Sequence, residues 1–411
     1  MTERRDVQAV RASQIDPGAS PRVLWFSHNS VIGGAEIGMH EAVRALRERG
    51  VTSSVVVPRD GPLADRLRDD GVAVFVHPYR WWMSLLPSRA GRAKNLLALI
   101  DPRVRRRLAA LIRDARADVV VTNTIAIGAP AIAARIARVP NIWYVREYGR
   151  DDHSLEFDVG SRLAYRLIDS LSAAVVVNSG TLRAHLQEHG VHKAEVLAYA
   201  VEVPEGVVRP RPSKPTLQLA LVGTVTPGKG QEDAVRAVAR VVEAGTDVQL
   251  AFVGPTLAPF RDSISKLASD LGVRDRIRFT GFVDDPFAEM AAADVCLVCS
   301  RREAFGRSTI EAMKCARPVI GAASGATAEL VQHEVTGLLY SPGDVAELAA
   351  AIVRLDRDRK LLARLGDQAH EWSTNRFNLE RYGEDLERVV STVLAARGTA
   401  ARARPRRVRR H

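Results

Sequence analysis

Two carboxylates stand eight residues apart in the stretch SRREAFGRSTIEAMKCARPVI, Glu303 and Glu311, with Gly306 and Arg307 between them. Carboxylates accept paired hydrogen bonds from vicinal hydroxyls, so a sugar and a ribose could occupy both. If a helix starts near Arg307, the amides of Phe305, Gly306, Arg307 and Ser308 lie at its positive end, where an anion such as a diphosphate is favoured. A surface loop leading into a salt-bridged helix would show the same spacing. A second element, VGTVTPGKGQ, puts Lys229 between Gly228 and Gly230. Small neighbours let backbone approach a phosphate, and the lysine could reach it. The element is no P-loop, because the residue after Lys229 is Gly230 rather than Ser or Thr. A plain glycine turn with an exposed lysine is the alternative. Gly33 and Gly34 stand at a comparable turn in the first half, and Gly325 and Glu329 at a third in the second half.

These residues need a scaffold that gathers loops. Short Val- and Ile-rich runs alternate with amphipathic stretches along the chain. RVLWFSH (22–28) reads as a buried strand, and Ala35–Arg49 as a helix ended by Gly50. SSVVVP, VAVFVHP, ADVVVTNT, NIWYVRE and AAVVVNS continue the strand series. Such alternation predicts an α/β chain with a parallel sheet covered on both faces. The rhythm breaks at VPEGVVRPRPSKPT (203–216), a linker by composition, and then restarts. The expectation is two doubly wound, Rossmann-like domains facing a cleft. The first spans 22–204 and is completed by a helix over 378–396; a linker covers 205–215, and the second domain spans 216–375. Ligands of such sheets lie at the carboxyl ends of strands. DVCLVCS should be a strand, Arg301–Gly306 its following loop, and Arg307–Cys315 the helix after it.

The chain has 411 residues, 46% of them hydrophobic, and a net charge of +11. RGTAARARPRRVRRH (397–411) carries seven arginines and no acid, so the rest of the chain holds only +4. This tail, like residues 1–21, is expected to be disordered. An anionic membrane face suits it better than nucleic acid, and a solvated tail without a partner is the other choice. No apolar run reads as a secretion signal or a membrane span. The expected location is the cytoplasm, peripheral to the membrane's inner face. Cys296 and Cys299 fall inside one predicted strand on opposite faces, which reads as core rather than metal binding. Trp81 and Trp82, with Met83, Leu85 and Leu86 and several arginines nearby, suggest a bilayer interface. A helix packed on the first domain is the competing account of that region.

Taken together, GGAE (33–36), VGTVTPGKG (222–230), FTGFVDD (279–285), EAFGRSTIEAM (303–313) and GATAELVQHEVTGLLYSPGD (325–344) resemble the family 4 glycosyltransferases of GT-B architecture. The resemblance covers about Arg22 to Arg397 and is most specific at the Glu-x7-Glu element. It implies transfer of a sugar from a nucleotide-diphosphate donor to a glycan or lipid-linked acceptor, with retention and without a metal or other cofactor. By the same resemblance, Glu303 contacts donor-sugar hydroxyls, Glu311 the ribose, and Lys229 the leaving diphosphate. Gly33, Gly34 and the backbone near Phe305, Gly306 and Ser308 close around the donor. The chain departs from the family pattern in three places. Thr224 stands where members commonly carry a diphosphate-binding arginine, leaving Arg307 or another cation to replace it. Arg146 stands where many have a histidine, facing the cleft or serving a structural ion pair. Ala326 replaces a glycine. Cell-envelope glycan or glycolipid assembly is the implied setting. A non-catalytic sugar-nucleotide or glycan-binding protein of the same fold is the alternative that Thr224 and Arg146 motivate.

Overall fold

In a computed structural model, the structure describes residues 20–85, 93, 95, 99, 101–207 and 215–402. The chain builds two parallel sheets. The first contains β1 (Arg22–Phe26), β2 (Thr52–Val57), β3 (Ala73–Val76), β5 (Val119–Asn123), β6 (Asn141–Val145), β8 (Ala174–Val177) and β9 (Ala194–Val196), in the order β3-β2-β1-β5-β6-β8-β9. Two-residue strands β4 (Met83–Ser84) and β7 (Glu156–Phe157) pair antiparallel beside it. The second sheet contains β10 (Leu217–Val222), β11 (Val248–Val253), β12 (Ile277–Gly281), β13 (Val295–Val298), β14 (Val319–Ala322) and β15 (Gly337–Tyr340), in the order β12-β11-β10-β13-β14-β15.

Both sheets are buried on two faces, which is why their strands read as continuous apolar runs. Along β1, Leu24 and Phe26 enter one core, while Val23 and Trp25 enter the opposite one. The same division splits β13. Cys296 and Cys299 belong to different cores, and burial pushes both thiols up to about 12. Each fully buried Leu, Val or Phe contributes about 1.5–3 kcal/mol, so the strands are held by their covering helices as much as by their ladders. In each sheet the strand order reverses beside the first strand, between β1 and β5 and between β10 and β13. The loops leaving the carboxyl ends there face one another.

The last helix, Leu379–Arg402, packs on the Gly34–Glu48 helix of the first domain, burying Tyr382, Leu386, Val389, Val390 and Val393. It runs beyond the residue at which the sequence suggests a disordered tail. Arg397 is helical, and its Nη1 donates to the Asp118 carbonyl at 3.2 Å. The remaining basic residues, 403–411, lie outside the described residues, as do 1–19 and the 208–214 part of the linker. The two chain crossings between the domains meet: the Phe377 carbonyl accepts Val201 N–H at 3.2 Å and Lys314 Nζ at 2.9 Å.

The suggested bilayer contact is overturned for Trp82. Trp82 is buried against Trp143, with ring centroids 5.6 Å apart, and donates Nε1 to the Ile125 carbonyl at 2.6 Å. Trp81 donates to the His28 carbonyl at 2.8 Å and leans on the His28 ring. Indole rings that find both apolar neighbours and an acceptor inside the protein have no need of a lipid interface. Leu86 lies outside the described residues.

Candidate active site

The loop after β13 and the loop after β10 touch through their backbones. Arg301 N–H donates to the Gly228 carbonyl at 3.0 Å. Gly230 caps the Gln231–Glu243 helix at φ 75°, and a Cβ there would overlap the Cys299 carbonyl. On the other side, Gly325 (φ +54°) lies so close to the Glu303 backbone that a Cβ would come within 2.5 Å of its oxygen. Ala326 N–H donates to the same Glu303 carbonyl at 2.8 Å. Glycine is the residue that tolerates both the left-handed φ and the approach. The Gly325–Ala326 loop thus holds Glu303 by its main chain, and the Gly228–Gly230 turn braces the start of its loop.

That clamp sets Glu303 Oε2 2.9 Å from Lys229 Nζ. Burial works against the lysine's charge, but Glu303 more than offsets it, and the ammonium is held above its ordinary value. A third of the Lys229 side chain still faces solvent. Asp152 of the first domain adds to the field at Lys229. Behind the pair, Gly306 starts the Arg307–Lys314 helix with no side-chain cap, leaving its positive end directed at this loop. Ser308 is half-buried in the first turn. Gly33 and Gly34 begin the Gly34–Glu48 helix after β1, and a Cβ at Gly34 would meet nothing within 4 Å. Thr224 is exposed, with its carbonyl accepting Gln231 Nε2 at 3.2 Å.

Phe305 keeps its main chain for a ligand, and three other expected ligand side chains are held by partners within the protein. Phe305 turns its ring into the core against Tyr199, centroids 3.7 Å apart, so only its main chain can serve a ligand. Arg307 does not stand in for the cation missing at Thr224. Its Nε donates to Glu311 Oε1 at 2.7 Å, and its Nη1 and Nη2 donate to Glu41 Oε2 and Oε1 at 2.6 and 2.8 Å. Glu41 lies on the Gly34–Glu48 helix, so this buried acid–base–acid group ties the domains together. Glu311 gives one oxygen to Arg307. Burial lifts its carboxyl above the usual range, with Arg307 opposing; Arg307 itself, against burial, is held charged by Glu311 and Glu41. Arg146 is buried beneath the same helix, 3.8 Å over the Tyr144 ring, with Nε on Asn123 Oδ1 at 2.6 Å. Its guanidinium is buried beside the Tyr144 and Tyr382 hydroxyls, which engage it. Enclosed by Tyr144, Tyr199 and Tyr382, it is a cation of the first domain's interior rather than a residue that meets a sugar.

Several contacts escaped the sequence. Glu329 accepts the Gly180 and Thr181 amides at 2.8 and 2.6 Å, capping a first-domain helix from the second domain. Ser179 Oγ donates to the Ala304 carbonyl at 2.6 Å. His28 Nδ1 lies 3.0 Å from Glu36 Oε1. For the His28–Glu36 contact the sequence signal is Glu36 itself, a buried charge in the first turn of a helix whose buried face is largely apolar.

Against this geometry, the family comparisons are decisive. The family described as "Glycosyl transferase 4-like domain" matches residues 33–200, and "Glycosyl transferases group 1" matches residues 209–372. The chain belongs to the GT-B glycosyltransferases of the family 4 kind. It is 32% identical over 166 residues to the N-acetyl-alpha-D-glucosaminyl L-malate synthase of Bacillus anthracis, covering 40% of this chain and 43% of that one. It is 34% identical over 171 residues to the GDP-mannose-dependent alpha-(1-6)-phosphatidylinositol monomannoside mannosyltransferase of Mycobacterium tuberculosis, covering 39% of this chain and 44% of that one. The chain thus matches less than half the length of these curated relatives. Its fold is that of Anabaena HepE solved with UDP-glucose, at TM-score 0.75 and 24% identity, over 90% of this chain and 99% of that one. Among the described residues no helix is long and apolar enough to cross a membrane.

Proposed function

We propose that this chain transfers a sugar from a nucleoside-diphosphate donor to a hydroxyl of a glycan or lipid-linked acceptor, with retention at the anomeric carbon. The observation that carries the reading is the Lys229–Glu303 pair, clamped by backbone at the carboxyl ends of β10 and β13, before an uncapped helix start. A donor entering there separates the pair. Its sugar hydroxyls donate to Glu303, and its diphosphate accepts from Lys229 and the amides of Gly306 to Ser308. As the bond from the anomeric carbon to the diphosphate oxygen breaks, negative charge grows on the phosphate that Lys229 faces. A fixed cation placed there lowers the barrier without a metal, by about 2.7–4 kcal/mol. The acceptor oxygen bonds to that carbon, and its proton leaves with the diphosphate.

Relatives named for GDP-mannose and a neighbour solved with UDP-glucose support a nucleotide-sugar donor. Relatives named for lipopolysaccharide core and phosphatidylinositol mannoside synthesis support an envelope glycan or glycolipid acceptor. The test is a panel of UDP- and GDP-sugars screened by thermal unfolding of the full chain. At a hundredfold excess over Kd, the correct donor adds about 2.7 kcal/mol to native stability. Anomeric configuration of the product, read by NMR, then tests retention. If no nucleotide sugar in the panel raises the melting temperature, the donor reading is wrong.

A further inference from the structure

The Gly180–Glu188 helix of the first domain ends in a cluster with no part in the donor site. His185, Glu188 and His189 each offer a ligand atom, and these atoms lie within 4.8 Å of one another. The spacing His-x-x-Glu-His puts two imidazoles four residues apart, on one side of a helical turn. Their rings sit 4.5 Å apart, tilted by 42°.

Each ring is oriented from behind. His189 Nδ1 lies 2.8 Å from the His185 carbonyl. A carbonyl only accepts, so Nδ1 carries the hydrogen and Nε2 keeps its lone pair. His185 Nε2 lies 3.0 Å from the Tyr165 hydroxyl, and Tyr148 stands edge-on to the ring at 5.1 Å. The Tyr165 hydroxyl thus fixes the direction of the His185 ring. A second hydrogen bond on the far nitrogen is how metal-binding imidazoles are fixed in tautomer and direction.

The same three residues line a cavity of about 440 Å³, together with Tyr148, Arg150 and Arg302. Arg302 adjoins Glu303 in sequence and lies 4.3 Å over the Tyr148 ring. The cavity therefore opens beside the loop that carries Glu303. Two imidazoles and a carboxylate form the donor set of a borderline divalent ion that keeps a position open.

We propose that His185, Glu188 and His189 bind a zinc-like divalent cation whose open coordination position faces this cavity. An oxygen ligand, above all an anionic one that Arg150 and Arg302 also attract, would complete it. The cation is separate from the donor diphosphate, which Lys229 serves, and the site does not depend on the transferase reading.

The test uses the full chain, freed of metal by chelation and titrated with Co²⁺ by absorption and with Zn²⁺ by calorimetry. One ion binds per chain, and Zn²⁺ raises the melting temperature. H189A, an exposed position, and H185A each weaken binding by more than tenfold, and Tyr165→Phe by about tenfold through loss of orientation. H192A, a neighbouring exposed histidine, changes nothing. Inorganic phosphate shifts the cobalt spectrum. Unsaturable binding, binding that survives H189A, or equal loss in H192A overturns the site; a cobalt spectrum unmoved by phosphate overturns the open position. Nucleotide-sugar stabilisation of H189A matches the unaltered chain, so failure here and failure of the donor reading are told apart.

Discussion

Glu303 and Glu311 are eight residues apart and live in opposite surroundings. Glu303 is on a loop, held by its main chain, and faces the Lys229 ammonium, which solvent also reaches. Glu311 is on a helix, buried, and shares Arg307 with Glu41 of the other domain. The difference separates a pair that can open from a pair locked into the fold. A group that must exchange one partner for a substrate needs a partner it can release, as Lys229 is. A buried charge that lost its partner would be left uncompensated in a low dielectric, so Arg307 is committed to the fold.

The largest effect should come from breaking the committed side. Arg307→Met leaves two buried carboxylates facing each other and should cost about 3–5 kcal/mol of stability, measured by urea unfolding. The pH dependence sharpens it. Without Arg307, nothing opposes the burial that already raises Glu311, so the folded state holds its proton more tightly and stability is regained as pH falls. A loss that is equal at about pH 7.5 and pH 5.5 would mean the carboxylates are not buried as a pair.

On the releasable side, Lys229→Ala should lower kcat/KM by about 10²–10³ while leaving the melting temperature of the free chain nearly unchanged. Glu303→Gln should reduce kcat more than donor affinity, since its contacts serve the sugar as it departs. Should free nucleoside diphosphate bind as tightly to Lys229→Ala as to the unaltered chain, Lys229 is an exposed turn residue and the contrast collapses.

The smallest expected effect lies across the cleft, at His28. Burial works against its charge, yet Glu36 outweighs burial and raises its pKa. The sign follows: the pair stabilises the fold below the ordinary imidazole value of about 6.5, and the stabilisation is lost as pH rises through the raised folded value. In Glu36→Gln the His28 titration, followed by NMR, should move down; an unmoved midpoint would remove Glu36 as its cause.

Strand–helix alternation made both sheets legible, because strands buried on two faces have an unmistakable composition. The Lys229 and Glu303 loops were legible because both follow strands at positions where sheets of this kind bind ligands. Their direct contact was not, nor was the fate of Arg307, whose partner Glu41 is 266 residues away. Sequence spacing reports neighbours on one helix and is silent on which distant carboxylate claims a guanidinium. Arg146 and Trp82 failed for a related reason. Both carry polar atoms that a sequence reading assigns to a surface, and both are enclosed by side chains from distant strands: Tyr144 and Tyr199 around Arg146, Trp143 beside Trp82.

The two glycines that admit the Glu303 clamp have a consequence for how this site can vary through descent. Main chain rests on main chain at Gly230 and Gly325, so nothing in those contacts can flex or be trimmed to absorb an added methyl. Neighbouring side chains can change and still leave Glu303 where it stands. A single carbon at either glycine displaces the loops themselves. Inheritance at this site is therefore strict where the sequence carries no side chain at all, and lenient at many of the positions that do.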